Sequence, residues 1–98
     1  MAEKIDFGTN IKKVRLKHQL TQAQFGEIIG KSASTVHGYE NNTVVPPFDV
    51  LLTISELFDV TVGALMGFRD IKEPTANIQA WRDIYDEYIK LLGDDQNE

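Results

Sequence analysis

The sequence predicts an all-α fold of five short helices followed by a C-terminal amphipathic helix. Between its glycine and proline residues, apolar side chains recur at intervals of three or four, the spacing of one helix face. No segment alternates apolar and polar residues as a half-buried strand does. The 98 residues, 42% of them apolar, suffice for one domain with a modest core.

Two short helices joined by a tight turn are predicted for residues 20–41. Thr21 is a good N-cap, and Gln24 three residues later completes a capping box. Gly30 accepts the left-handed conformation that ends a helix, and Ser32 caps the helix that follows. Two helices joined by a glycine-containing turn describe a helix-turn-helix.

This stretch resembles the helix-turn-helix of the phage repressor and Cro family, also called the XRE family. A small residue inside one helix, a turn glycine and four apolar positions carry the resemblance: Gly26, Gly30, Phe25, Ile29, Val36 and Tyr39. The likeness extends from Ile11 to Gly67 and implies a five-helix, repressor-like DNA-binding domain. There are two departures: Lys31 stands where the family usually has an apolar turn residue, and Asn42 stands where it often has glycine.

The resemblance also implies how DNA is contacted. The recognition helix enters the major groove and turns its outward residues to the base edges. Position by position, the family's base-reading and helix N-terminal contacts fall on Ser32, Ala33, Ser34, Thr35, His37 and Gly38. Contacts to the DNA backbone are expected from Gln22, Lys12, Lys31 and Asn41. The alternative is that these are ordinary exposed helix residues.

The expected reading surface is chemically sparse. His37 is its one long polar side chain, and no Arg, Asn or Gln stands there for a bidentate contact to a base. We therefore expect readout of groove shape to contribute more than usual.

Two charged residues match a pair that the family often has. Arg15 lies in the first predicted helix and Glu40 at the end of the third. The resemblance predicts an ion pair between them. The alternative is two solvated charges, which would contribute at most about 1 kcal/mol.

The distribution of charge accommodates a DNA partner despite a net charge of −5. Residues 1–45 carry six Lys or Arg and four Asp or Glu, a net charge of +2, whereas residues 46–98 have a net charge of −7. DNA affinity depends on the charge of the contacting face rather than that of the whole chain.

The C-terminal part is expected to consist of three segments after a DNA-binding domain at residues 1–68. We predict a linker at residues 69–74 and an amphipathic helix at residues 75–93. Residues 94–98 are predicted to be a disordered acidic tail. The helix has apolar residues at heptad spacing: Ile78, Trp81, Tyr85, Tyr88 and Leu92. This spacing predicts either a surface that pairs two chains or packing onto the helix's own domain.

Other classes of function find little support. The chain has no cysteine, no cluster of metal-ligating residues and no glycine-rich phosphate loop, so we expect no metal, no cofactor and no enzymatic activity. No apolar run approaches the roughly 20 residues of a membrane span. The N-terminus lacks a signal-peptide pattern, which favours the cytoplasm.

These observations predict a small regulator that binds double-stranded DNA sequence-specifically. We expect a repressor of phage or mobile-element type that acts as a homodimer on a pseudo-palindromic operator. The alternative is an antitoxin-like or anti-regulator module whose C-terminal helix captures a protein partner.

Overall fold

The computed structural model describes residues 5–68 and 78–96, and these residues form six helices. The helices are α1 (Phe7–Lys17), α2 (Gln22–Ile29), α3 (Ala33–Glu40), α4 (Phe48–Phe58), α5 (Val62–Leu65) and α6 (Ile78–Gln96). No strand occurs within the two described ranges. The predicted all-α fold, with five helices and an additional C-terminal one, is confirmed.

The first and fifth helices begin at side-chain caps. The carboxylate of Asp6 accepts a hydrogen bond from the backbone N–H of Thr9, and the hydroxyl of Thr61 accepts one from that of Ala64. Each cap satisfies one of the N–H groups that the first turn of a helix leaves without a partner. The start of α5 is therefore defined locally, although this helix has only four residues.

One hydrophobic core lies between the helices. Its fully buried apolar side chains come from every one of the first five helices: Phe7, Ile11, Phe25, Val36, Leu51, Ile54, Val62 and Leu65. In the last turn of α4, Leu57 is 55% exposed although it is apolar. Its neighbour Phe58 turns inward instead and stacks on Phe25 with ring centroids 5.0 Å apart.

The sixth helix packs onto its own domain. Trp81 and Tyr85 are 4% and 8% exposed and belong to the same core. The ring of Tyr85 lies 6.3 Å from that of Phe7 and 5.4 Å from that of Phe48. Trp81 covers Gly63 so closely that an added Cβ would lie 2.7 Å from the indole ring. This packing places the inner face of α6 in the interior of a single chain.

Of the two alternatives for this face, packing onto the helix's own domain describes Trp81 and Tyr85, which are buried there and not free to pair two chains. A contribution of the rest of α6 to pairing stays a prediction. Besides the two buried residues, Tyr88 and Leu92 are half-buried and Ile78 is exposed. The physical reason for the packing is that the first five helices do not complete a core. Without α6, the rings of Phe7 and Phe48 would lose the aromatic neighbours that exclude water from them.

The end of α6 also differs from expectation. Gly93 does not terminate the helix, which continues to Gln96, so residues 94–96 are helical rather than part of a disordered tail. A glycine inside a helix costs about 1 kcal/mol and stops it only where the chain turns away. The expected linker and helix start, in 69–77, and residues 97–98 lie outside the described residues.

Candidate nucleic-acid interface

Helices α2 and α3 form the predicted helix-turn-helix. The capping box at the start of α2 is complete: Thr21 Oγ1 accepts from the Gln24 N–H at 3.0 Å, and Gln24 Oε1 accepts from the Thr21 N–H at 2.9 Å. Gly30 ends α2 in the left-handed conformation, with φ of 77°. Ser32 caps α3 by accepting from the N–H of Thr35. Local sequence thus fixes both the start of α2 and the turn between the helices.

A glycine inside α2 allows the turn to pack against that helix. A methyl group at Gly26 would overlap the carbonyl oxygen of Lys31 and lie 3.2 Å from that of Ser32. Only a residue without a side chain fits at this position, because the backbone of the turn lies against it. The N–H of Lys31 donates to the Gly26 carbonyl at 2.8 Å, whereas Lys31 itself is exposed. Because this backbone bond holds the turn, the position does not need an apolar side chain.

The outer surface of α3 presents few side chains. Ala33, Ser34 and His37 are exposed. Thr35 is half-buried, and its hydroxyl lies 2.9 Å from that of Ser32. Between its two ends, α3 therefore offers two polar groups outward, a hydroxyl at Ser34 in the first turn and an imidazole at His37 in the last turn.

Gly38 does not lie on this outer surface, contrary to expectation. It is buried, and an added Cβ would lie 3.1 Å from Val44 Cγ2 and 3.4 Å from Thr43 Oγ1. A helical projection places Gly38 outward, but the loop after α3 folds back over it. Gly38 is therefore not placed to make the expected contact with a base.

His37 and Asn41 lie one helical turn apart and contact each other. His37 Nε2 and Asn41 Nδ2 are 2.7 Å apart, and both residues are exposed. The pair fixes two side chains that were expected to act separately, one on bases and one on the DNA backbone. Side chains already held in place lose less conformational freedom when they bind.

Arg15 and Glu40 form a buried bidentate pair. Arg15 Nε donates to Glu40 Oε2 at 2.6 Å, and Arg15 Nη2 donates to Glu40 Oε1 at 3.0 Å. The two side chains are only 11% and 3% exposed, so they are not solvated surface charges. The hydrogen bonds to Glu40 raise the pKa of Arg15 above its usual value, while burial acts in the opposite direction.

The pair gathers further groups around the end of α3. Arg15 Nη1 donates to the carbonyl of Leu20 at 2.8 Å. Gln22, which was expected to reach the DNA backbone, is half-buried and donates from Nε2 to Glu40 Oε1 at 3.2 Å. In the described structure Gln22 therefore joins the start of α2 to the end of α3.

A second connection, which the sequence did not reveal, joins α3 to α1. Asn42 has φ of 59°; its Oδ1 accepts from the Gly8 N–H at 3.0 Å and its Nδ2 donates to Asp6 Oδ1 at 2.9 Å. A methyl group at Gly8 would overlap the carbonyl of Glu40. The available signals were a glycine in the first turn of α1 and an asparagine after α3, and neither indicates that the two meet.

The remaining expected contacts are at the surface, and Lys12 and Lys31 are both exposed. Within residues 5–68 and 78–96, no group of three or more potential ligands is placed to hold a metal ion. Among the same residues, no helix has the length and apolar character needed to cross a membrane.

The fold and this surface define a helix-turn-helix protein, the class in which one short helix is presented outward on a rigid helical support. The family model described as Helix-turn-helix, HTH_3, matches residues 11–65, which is more than half of the chain. The chain belongs to this family of DNA-binding transcription regulators, of Cro/C1 (XRE) type. The resemblance inferred from the sequence is confirmed.

Two curated relatives support the same assignment. The HTH-type transcriptional regulator YobD of Bacillus subtilis, described as uncharacterized, is 36% identical over 64 residues, covering 65% of this chain and 57% of YobD. Antitoxin PezA of Streptococcus pneumoniae is 31% identical over 72 residues, covering 74% of this chain and 46% of the antitoxin. The chain thus spans about half the length of the curated relatives it matches.

Solved structures share the fold. The P22 c2 repressor, crystallised with a synthetic operator, superposes with a TM-score of 0.61 at 22% identity, covering 68% of this chain and all of the repressor chain. A transcriptional regulator from Listeria innocua superposes with a TM-score of 0.63 at 19% identity, covering 94% of this chain and 92% of its own. The second match extends well beyond the helix-turn-helix unit.

Proposed function

We propose that this chain is a transcriptional repressor that binds double-stranded DNA sequence-specifically, as a homodimer on a pseudo-palindromic operator. The observation that carries the proposal is the placement of Ser34 and His37. Both are exposed on the outer surface of α3, and the Arg15–Glu40 pair holds the end of that helix on the domain. Set in the major groove, this surface would meet base edges.

We propose a dimer because each copy presents few side-chain groups that could contact bases. One hydroxyl and one imidazole discriminate few base pairs, so a single copy would bind with low specificity. Two copies related by a two-fold axis would place their recognition helices about 34 Å apart, in successive major grooves. Joining them makes the second binding event effectively intramolecular. Trp81 and Tyr85 are buried in their own domain, so the pairing surface that we propose does not include them.

The comparisons support this function at the level of class. YobD is described as a transcriptional regulator, and the P22 c2 repressor was solved with an operator. The matches cover only 57% of YobD and 46% of PezA, so they do not extend to the activity of a whole relative. Repression of the phage type is therefore proposed here for the chain.

In-vitro selection tests the proposal. The full chain is incubated with a library of random duplexes at about 0.15 M salt, where charges more than roughly 8 Å apart are largely screened. We expect a pseudo-palindromic motif to be enriched, with half-sites about one helical turn apart. A library that remains random after repeated rounds would overturn the proposal.

A second candidate function is that of an antitoxin-like module that also binds a protein, as the similarity to PezA over 74% of this chain suggests. The surface available on α6 is its outer side, where Ile84 is 40% and Leu91 47% exposed, seven residues apart on one face. Replacing both with Asp should abolish co-purification of a protein partner but leave DNA selection unchanged. If no partner co-purifies with the wild-type chain, this candidate is excluded.

A further inference from the structure

We propose that Tyr85 of α6 is a positioning residue for DNA reading, which acts on α3 through the loop formed by residues 43–46. This inference rests on the function proposed above. The loop connects α3 to α4, and it is held at one end by α3 and at the other by Tyr85. The hydroxyl of Tyr85 therefore controls the last turn of the recognition helix without touching DNA.

At its first end, the loop is attached to a single carbonyl group of α3. The Gly38 carbonyl accepts from the Thr43 N–H at 3.0 Å, the Thr43 hydroxyl at 3.1 Å and the Val44 N–H at 3.2 Å. Val44 also lies directly over Gly38. Any displacement of Val44 thus removes the cover of Gly38 and weakens the bonds at the end of α3.

The other end of the loop, where it joins α4, consists of two prolines. Pro46 and Pro47 both lack an N–H group, so this part of the loop cannot close on itself through backbone donors. Pro46 is fully buried, and its carbonyl accepts from the Tyr85 hydroxyl at 2.6 Å. A buried carbonyl without a donor costs considerable free energy, so this bond fixes the position of Pro46.

The hydroxyl of Tyr85 is itself well fixed. Its ring lies among Phe7 and Phe48, and the side chain is 8% exposed. Burial raises the pKa of Tyr85 above its usual value, with the charges of Asp86 and Tyr39 adding to the effect and Arg82 opposing it. The group therefore keeps its proton and remains a donor at neutral pH.

The part of α3 held in this way is the part that carries the imidazole. His37 precedes Gly38 directly and is joined to Asn41, so both move with the last turn of the helix. The N-terminal half of α3 is capped independently by Ser32. Release of the loop should therefore weaken contacts that depend on base identity, while contacts to phosphates through charge persist.

The test compares Tyr85→Phe with Tyr88→Phe. Tyr88 is a matched control on the same helix, because its hydroxyl accepts from the Ile5 N–H at 3.0 Å. For each protein, the dissociation constant is measured for the selected duplex and for a scrambled duplex. We expect Tyr85→Phe to weaken binding to the selected duplex at least fivefold and to the scrambled duplex less than twofold. Tyr88→Phe should change neither by more than twofold.

A second pair of variants approaches the loop from its other end and does not touch α6. Val44→Ala removes the cover of Gly38, whereas Val45→Ala changes the adjacent exposed residue. We expect Val44→Ala to reproduce the selective loss and Val45→Ala to behave as wild type. This arm decides the question if Tyr85→Phe does not fold.

The outcomes separate this inference from the function on which it rests. If wild-type protein enriches no sequence, the proposed function has failed. If wild-type protein discriminates the selected duplex and both Tyr85→Phe and Val44→Ala discriminate it equally well, the positioning role is overturned. An equal loss on both duplexes in either variant would also overturn it, because a purely structural defect reduces all binding.

Discussion

Arg15 Nε and Glu40 Oε2 lie 2.6 Å apart and join the last turn of α1 to the last residue of α3. Glu40 is only 3% exposed in its side chain, and it also accepts from Gln22. A buried pair of this kind costs desolvation to form, but losing one partner leaves the other charge buried without compensation. The orientation of the recognition helix therefore depends on both residues.

Arg15→Met should lower the free energy of unfolding by about 3 kcal/mol, because the Glu40 carboxylate would remain buried without its partner. A double-mutant cycle with Glu40→Gln should give a coupling energy above about 1.5 kcal/mol. Urea unfolding of the four proteins measures both quantities.

The exposed pair Arg82 and Asp49 is the control. Their charged atoms are 4.0 Å apart, and the side chains are 49% and 87% exposed. The corresponding cycle with alanine should give a coupling below about 0.5 kcal/mol. Similar coupling energies in the two cycles would contradict the distinction between the buried and the exposed pair.

Gly8→Ala should destabilise the fold by about 2 kcal/mol. The added methyl group would overlap the Glu40 carbonyl, and the resulting overpacking outweighs the better helix propensity of alanine. Thr9→Ala at the exposed neighbouring position should change stability by no more than about 0.5 kcal/mol. Thermal unfolding measures both, and a neutral Gly8→Ala would show that α1 does not pack closely on the end of α3.

Trp81→Ala should cost about 3–5 kcal/mol, because it removes a large buried side chain from the core. Ile84→Ala, at a 40% exposed position on the same helix, should cost far less. A chain ending at Asp70 should lose cooperative unfolding, as followed by circular dichroism. If that shorter chain folds with unchanged stability, α6 is not part of the core.

A Ser34→Ala, His37→Ala double mutant should fold normally and bind the selected duplex at least tenfold more weakly, since it removes two hydrogen bonds that contribute about 1 kcal/mol each. Gln79→Ala on α6 is the exposed control and should bind as wild type. Fluorescence anisotropy measures the affinities. Wild-type affinity in the double mutant would mean that these two residues do not read bases.

Much of the fold was predictable because its signals are local. The caps at Asp6, Thr21, Ser32 and Thr61 and the left-handed Gly30 each depend on residues three or fewer apart. Helix propensity and side-chain capping act over this range, so a single sequence carries the information. The exposed positions of Ser34 and His37 follow from the same helical periodicity.

The structure differs from the sequence-based predictions at positions where segments distant in the sequence meet. The burial of Gly38 depends on a loop that folds back, and the bond from Asn42 to Gly8 joins residues 34 positions apart. The sequence predicts the apolar face of α6, but amphipathic spacing is the same whether this face packs on the helix's own domain or on a second chain. Only the three-dimensional structure shows that Trp81 of this face packs on Gly63 of the same chain.

The central claim is that the chain recognises a DNA sequence, and the ratio of two dissociation constants tests it most directly. Wild-type protein is titrated against the selected duplex and against a scrambled duplex of the same composition, at about 0.15 M salt. Because the reading surface is sparse, we expect the ratio near the lower end of the range for specific DNA-binding proteins, about a thousandfold. A ratio near one would contradict sequence-specific binding.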